Sequence, residues 1–432
     1  MRGKGEGSIY VRESDGLYCS ALELPPRNGV RRRKVVTVNP HYPKELTDKQ
    51  ARTAVLSKLN KLKAQREKTG DLPTASQTLT QWLNIWYADI AVKKIRPKTA
   101  RTYRTLLENY IIPTIGKTRL DQLTPAHIRR VETMILGKGL SSTTAMQAHR
   151  ILAVALKYAE REGRVPRNVA AFTDAPRRAR PDLGVLTGAD ARKVLHTVAE
   201  DRLGSRWAAA LLTGARQGEL LGLELDRVTD TLDLSWQLQR IGWEHGCKAP
   251  CGAKRASECP ARTITHPADY EARHLTGGLW LTRPKSAAGT RLFPLVEPLK
   301  TIIERRVQAA ALEPNPFGLL WTSDLKKLSG KDTYRTALDG SPIDPSTDNH
   351  AWHAVLTRAV VPQVRLHDAR HTTASLFLDA GVREEIIMKL MGHSSNVVTR
   401  AYQNVDYRQL AAAATDLSVA LQLDAPRTGE DC

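Results

Sequence analysis

The stretch LHDARHTTASLFLDAG, residues 366–381, carries a histidine and an arginine three positions apart, His367 and Arg370. Helical spacing puts both on one face. A proton acceptor or donor and a permanently charged guanidinium then point the same way, which suits a phosphate whose oxygens gain charge during reaction. Taken singly, the pair reads rather as a helix-cap histidine and half of an ion pair, since polar pairs at helical spacing are ordinary. What surrounds the stretch decides between the two.

Upstream, TGARQGELLGL (213–223) presents Arg216 just after a Gly-Ala break, with Glu219 three residues on. Such a break lets a guanidinium leave a helix end rather than lie along its flank, and an arginine grips two phosphate oxygens at once. GLWLTRPKSAAGTRLFPL (278–295) reads as a hairpin with Lys285 in its turn, where a lysine can swing into a cleft and protonate a leaving oxygen. Downstream, LMGHSSNVVTRAYQNV (390–405) sets His393 after a glycine and Tyr402 nine residues later. A phenol is a poor nucleophile until cations lower its pKa and a base takes its proton. Tyr407, five residues on, is a decoy, and His371 reads as a supporting or structural residue.

The whole chain has 432 residues, which implies two or three domains. Its 41% hydrophobic and 25% charged residues are those of a soluble protein. No apolar run reaches the roughly 18 residues of a membrane helix. The basic N-terminus lacks the apolar core of a secretory signal. Five cysteines make no disulfide framework and suit a reducing compartment. Lys and Arg total 65 against 45 Asp and Glu, a surplus of +20 that favours a polyanion such as nucleic acid. Residues 1–70 hold 16 basic against 7 acidic residues, so +9 lies there.

Three segments follow. Residues 1–70 alternate as two or three strands with an Asp-Gly turn at 15–16, then a helix capped at Thr47, rimmed by Arg31, Arg32, Arg33 and Lys34. Residues 76–175 are helical, with Leu79, Trp82, Leu83, Trp86, Tyr87 and Ile90 on one face, Thr124 capping a helix with Pro125 first, and a basic run from Lys93 to Arg104. Four helices without strands make a bundle. Past a Pro- and Arg-rich linker, residues 183–421 mix helices with short strands.

In order and combination, Arg216, Lys285, His367-x-x-Arg370, Leu-Met-Gly-His393 and Tyr402 resemble the tyrosine recombinase (phage integrase) family. The likeness covers the third segment closely. The first two resemble, in layout, that family's arm-type module and its SAM-like core-binding domain. The implied fold is multidomain and mainly α: a small sheet with one helix, a four-helix bundle, and a mixed α+β catalytic domain. The implied function is site-specific DNA integration or excision through a 3′-phosphotyrosyl intermediate. Arg216 and Arg370 would clamp the scissile phosphate, with Glu219 supporting the first. Lys285 would protonate the 5′-oxygen, His367 would act as base or phosphate ligand, His393 would bond a non-bridging oxygen, and Tyr402 would attack. No cofactor is required. The implied partners are double-stranded attachment sites bound by a homotetramer on two duplexes, with a host bending factor and an excisionase as accessories and no membrane. The implied place is the cytoplasm of a bacterial host, at the nucleoid. A type IB topoisomerase and a catalytically silent DNA-binding regulator are the alternatives. The first two segments argue against the topoisomerase, and the intact residue set against the regulator.

One stretch departs from the family pattern. Residues 242–278 read as an insertion holding Cys247, Cys251 and Cys259, flanked by His245 and His266. Either it is a loop with free thiols or it holds a structural zinc, although the C-x3-C-x7-C spacing is not a standard knuckle.

Overall fold

The computed structural model describes residues 8–27, 30–69, 77–179, 184–247, 251–284, 289–324, 338–392 and 407–423. Two compact units divide the chain at Arg180.

The first unit begins with an antiparallel sheet in the order β1 (Tyr10–Val11), β2 (Tyr18–Arg27), β3 (Val30–Val38). Its inner face, Leu22, Leu24, Val36 and Val38, packs on Val55 and Leu59 of α1 (Asp48–Thr69). The period of two sends Arg31 and Arg33 to solvent, as expected. Thr47 caps α1: its hydroxyl accepts from Gln50 N–H while Gln50 Oε1 accepts from Thr47 N–H.

A second core in this unit is helical. It contains α2 (Leu79–Ile85), which widens into a π-turn at Trp86–Ala91, and α3 (Pro97–Leu106), which does so at Leu107–Ile111 before α4 (Ile112–Ile115). Helices α5 (Pro125–Gly137) and α6 (Ser142–Arg161) complete it. The aromatic face is core: Trp82 and Trp86 are buried, and Trp82 Nε1 donates to Ala155 O at 3.0 Å. Buried indole needs such a partner.

The second unit opens with α7 (Gly188–Thr197), capped by Thr187, then α8 (Gly204–Thr213) and α9 (Gln217–Leu221). Among the described residues five strands follow: β4 (Thr231–Asp233), β5 (Gln237–Arg240), β6 (Ala272–Thr276), β7 (Leu279–Thr282) and β8 (Leu292–Pro294). The later described helices are α10 (Leu299–Ala311), α11 (Pro345–Arg358), α12 (Leu366–Asp379), α13 (Glu384–Met391) and α14 (Tyr407–Ala420).

The expected hairpin over 278–295 does not form. β7 pairs with β5 and β6, whereas β8 pairs with β4 in a separate sheet. The insertion ends in β6, and β6 takes the edge of β7 that a hairpin partner would need.

Two apolar clusters fill this unit, and α8 and α12 belong to both. Ala209, Ala210 and Leu212 of α8 join Leu376 and Phe377 of α12 in one. Trp207 and Leu211 join Leu366 and Ala369 in the other. The two helices are fixed from both sides, and Thr373 Oγ1 ties them further by donating to Leu211 O at 2.8 Å. The ends of these two helices carry the candidate site.

Candidate active site

α8 stops at Gly214 in the left-handed region, φ 58°. An added Cβ there would lie 2.5 Å from Met391 Sδ, so space and conformation both call for glycine. The chain then turns, and Arg216 becomes the N-cap of α9 in an extended conformation. Glu219 holds it twice. Arg216 N–H donates to Glu219 Oε2 at 2.8 Å, and Arg216 Nη1 donates to Oε1 at 2.6 Å. One carboxylate thus caps the helix and aims the guanidinium.

Glu219 is 1% exposed and has a second arginine. Arg291, just before β8, donates from Nη1 and Nη2 to its two oxygens at 3.1 and 2.8 Å, a two-pronged grip. Burial opposes the charge on Glu219. The charge and hydrogen bonds of Arg291, then those of Arg216, outweigh it and hold the carboxyl below its usual range.

The C-terminal end of α13 collects the cations. Three successive carbonyls accept from three arginines: Leu390 O from Arg291 Nε at 2.8 Å, Met391 O from Arg370 Nη2, and Gly392 O from Arg216 Nη2 at 3.0 Å. A helix C-terminus leaves its last carbonyls free and carries partial negative charge, so it suits guanidinium donors. Arg370 also donates from Nη1 to Gly214 O at 2.6 Å, at the end of α8. Two helix ends therefore fix one arginine.

Arg370 is buried. Burial first, and then the charges of Arg216 and Arg291, push its guanidinium down to about 9, with Glu219 opposing. It remains a cation at neutral pH, but the direction marks a site short of negative charge. Among the described residues, three guanidiniums face one carboxylate, a surplus of +2 that an anion would relieve.

Arg216, Arg370 and His367 line one open cavity of about 440 Å³, together with Arg365, His353 and Asn349. His367 keeps an open side to solvent. Its partial burial, followed by the neighbouring His371 and Arg370, lowers its pKa from 6.5, so it is neutral at pH 7 and able to accept a proton. His371 meets it edge to face with ring centres 5.6 Å apart. Arg365, in the cavity wall, makes a two-pronged bond to buried Asp368, at 2.7 and 2.8 Å.

The structure thus brings together Arg216, His367 and Arg370 of the six expected residues. Lys285, His393 and Tyr402 lie outside the described residues. Tyr407 heads α14, is exposed, does not line the cavity, and donates to Asp230 O at 3.4 Å.

Sequence reasoning missed Arg291, although it stands in a quoted string. A charged residue abutting the apolar strand LFPL was the available signal. It also missed a second ring of support. Gln217 Nε2 donates to Asp348 Oδ2 at 2.9 Å, and fully buried Arg206 donates to the same oxygen at 2.7 Å, tying α8, α9 and α11 behind Arg216.

Two family models match the chain: the phage integrase N-terminal SAM-like domain over residues 78–132, and the phage integrase family over 275–409. An integrase of Saccharopolyspora erythraea is 32% identical over 376 residues, 81% of this chain and 84% of that one. The chain belongs to the tyrosine recombinase (phage integrase) family. It is a site-specific DNA recombinase. A XerC-like tyrosine recombinase of Caldanaerobacter subterraneus is 22% identical over 349 residues, 79% of this chain and 83% of its own. The Tn1549 transposon integrase, solved with circular intermediate DNA, shares the fold with a TM-score of 0.56 at 17% identity, over 78% of this chain and 99% of that one. A lambda integrase, solved as a tetramer on a Holliday junction, shares it with a TM-score of 0.50 at 15% identity, over 94% and 97%. In this recombinase the second family match includes His367 and Arg370, and Arg216 lies before its start.

Proposed function

We propose that this recombinase integrates or excises a mobile element by making and resealing a 3′-phosphotyrosyl bond. The carrying observation is the surplus of positive charge at the cavity: Arg216 and Arg370, fixed by helix ends, with His367 beside them and neutral. A DNA phosphate in that cavity would be held by two guanidiniums before reaction, and they would stabilise its oxygens most as charge grows on them.

The reaction balances as follows. Tyr402 passes its phenolic proton to His367 and attacks the phosphorus, and the bond from phosphorus to the 5′-oxygen breaks. Lys285 protonates that oxygen, and His393 bonds a non-bridging oxygen. These roles for Lys285, His393 and Tyr402 come from the family resemblance. Attack by the 5′-hydroxyl of a partner strand reverses the chemistry and exchanges strands. The bond energy stays in the ester, so no nucleotide cofactor is needed. The substrate is a pair of double-stranded attachment sites. The working form is a tetramer, supported by the lambda integrase assembly. The exposed basic faces of the first unit serve as further DNA contacts, and a bending factor and an excisionase set direction.

The test uses a nicked suicide substrate carrying the element's junctions. Wild-type protein is expected to form an SDS-resistant 3′-linked adduct, and Tyr402→Phe to bind the same DNA without one. An adduct from Tyr402→Phe would move the nucleophile elsewhere. Binding with no adduct from the wild type would leave a silent regulator.

A further inference from the structure

The Cys-rich segment between β5 and β6 takes no part in the arginine site. A two-way backbone pair closes its base: Glu244 N–H donates to Thr263 O at 2.9 Å, and Thr263 N–H donates back to Glu244 O at 3.0 Å. Among the described residues from 242 to 269, Cys259 alone is buried, at 0% exposure. A stretch that buries so little apolar surface has little hydrophobic reason to hold one shape.

It nevertheless converges on four ligand atoms. His245, Cys247, Cys251 and Cys259 each offer a nitrogen or sulfur, and all four lie within 4.8 Å of one another. His245 Nδ1 is 3.5 Å from Cys251 Sγ and 3.9 Å from Cys247 Sγ. A tetrahedron with bonds of about 2.3 Å to sulfur and about 2.0 Å to nitrogen has edges of roughly 3.5 to 3.8 Å. The cluster is therefore close to that size without rearrangement. His266 turns away, bonding Pro267 O at 2.8 Å and packing on Tyr270.

We propose that His245, Cys247, Cys251 and Cys259 bind one zinc ion as a closed structural site. Three thiols and one imidazole in a tetrahedron are a zinc donor set with no open position for catalysis. Binding releases three thiol protons and leaves the site with a charge of −1, which Lys254, Arg255 and Arg262 nearby in the chain offset. The backbone turns tightly around Cys259, with Cys259 N–H donating to Ala256 O at 3.2 Å and Arg262 N–H donating to Cys259 O at 3.1 Å. Gly246 sits between two of the ligands, and an added Cβ would lie 2.2 Å from Ala261 O, so the two sides of the loop close tightly.

The ion also explains how a polar loop orders a strand. Trp243, at the loop base, donates to Gly277 O at 2.8 Å and packs edge-on against Trp280 and His274, each 5.3 Å away. Arg262 covers its ring at 5.0 Å. Closing the loop on a metal places Trp243 and Arg262 together, and so sets β6 on the edge of β7.

The test is metal analysis of the full-length protein purified under reducing conditions. About one zinc per chain is expected, below about a tenth of that in Cys259→Ser, and near the wild-type amount in His245→Cys, which keeps four soft donors. Cobalt in place of zinc should give the strong visible bands of a tetrahedral thiolate site. Chelation of the wild-type protein should raise amide exchange at 243–263 and in β6 while α8 and α12 stay protected; this readout does not depend on a variant folding. Metal-free protein with free thiols and unchanged exchange after chelation would overturn the proposal. So would a Cys247–Cys251 disulfide, an octahedral cobalt spectrum, or full zinc in both Cys247→Ser and Cys259→Ser.

Discussion

Basic side chains do two different jobs in the two units. In the helical bundle, Lys93, Lys98 and Arg101 stand exposed along one run, and Arg104 shares its charge with Glu108 at a pair more than half open to solvent. In the catalytic unit, Arg370 is buried and the Arg291 side chain is only 7% exposed, and each donates two or three hydrogen bonds to fixed acceptors. Exposed charges act as a field that salt screens and side-chain motion blurs. Buried ones cannot be screened and cannot turn. The first kind suits attraction to any polyanion, and the second suits one phosphate in one orientation.

The largest effect should come from the buried class. Arg370→Ala is expected to slow covalent adduct formation about 10³-fold, about 4 kcal/mol, while gel-shift affinity for the same DNA changes by about threefold or less. Equal losses in binding and cleavage would erase the distinction between the two kinds of cation. Next comes Glu219→Gln. It leaves Arg291 and Arg216 without their shared carboxylate and should lower unfolding stability by about 3 kcal/mol in a urea titration, with part regained in Glu219→Gln/Arg291→Met. A drop under about 0.5 kcal/mol would place this buried pair in the same class as Arg104 and Glu108.

A third measurement uses acid. Burial disfavours the charged form of Glu313, but hydrogen bonds from Arg306 and Arg202 outweigh it and hold its pKa at about 2, against an ordinary 4.5. A depressed carboxyl contributes stability above its unfolded pKa and loses it as pH falls to the folded one. The catalytic unit should therefore lose stability between pH 4.5 and about 2, and Glu313→Gln should flatten that part of the curve. A wild-type curve already flat there would contradict the pairing. The smallest effects belong to the exposed run. Lys98→Ala and Arg101→Ala should each weaken DNA binding by less than about 1 kcal/mol and reduce the slope of log K against log salt by about one. Slopes that do not move would remove these residues from the DNA contact.

Much of the local structure was legible. Thr47 and Thr124 start helices as read, because a cap bonds within three residues of itself. The aromatic stripe from Leu79 to Tyr87 is core, because helical periodicity is a property of one segment. The hairpin expectation failed for the opposite reason. Strand pairing depends on which edge is already taken, and β6 comes from a stretch that reads as an insertion. Arg291 went unremarked because its partner, Glu219, is 72 residues away in sequence.

By itself the sequence determined the order in which an arginine, a lysine, a histidine with an arginine, a histidine and a tyrosine stand, in strings that resemble those of the family, together with the basic surplus and the three cysteines. Only the tertiary structure decided that three carbonyls at the end of α13 would anchor three arginines from separate elements, that Glu219 would be shared, and that His245 rather than His266 would join the thiols. Caps, turns and periodic faces are set by neighbours along the chain. Buried ion pairs and ligand clusters exist only where distant segments are brought within a few ångströms, and the packing of α8 and α12 between two cores brings the arginines there.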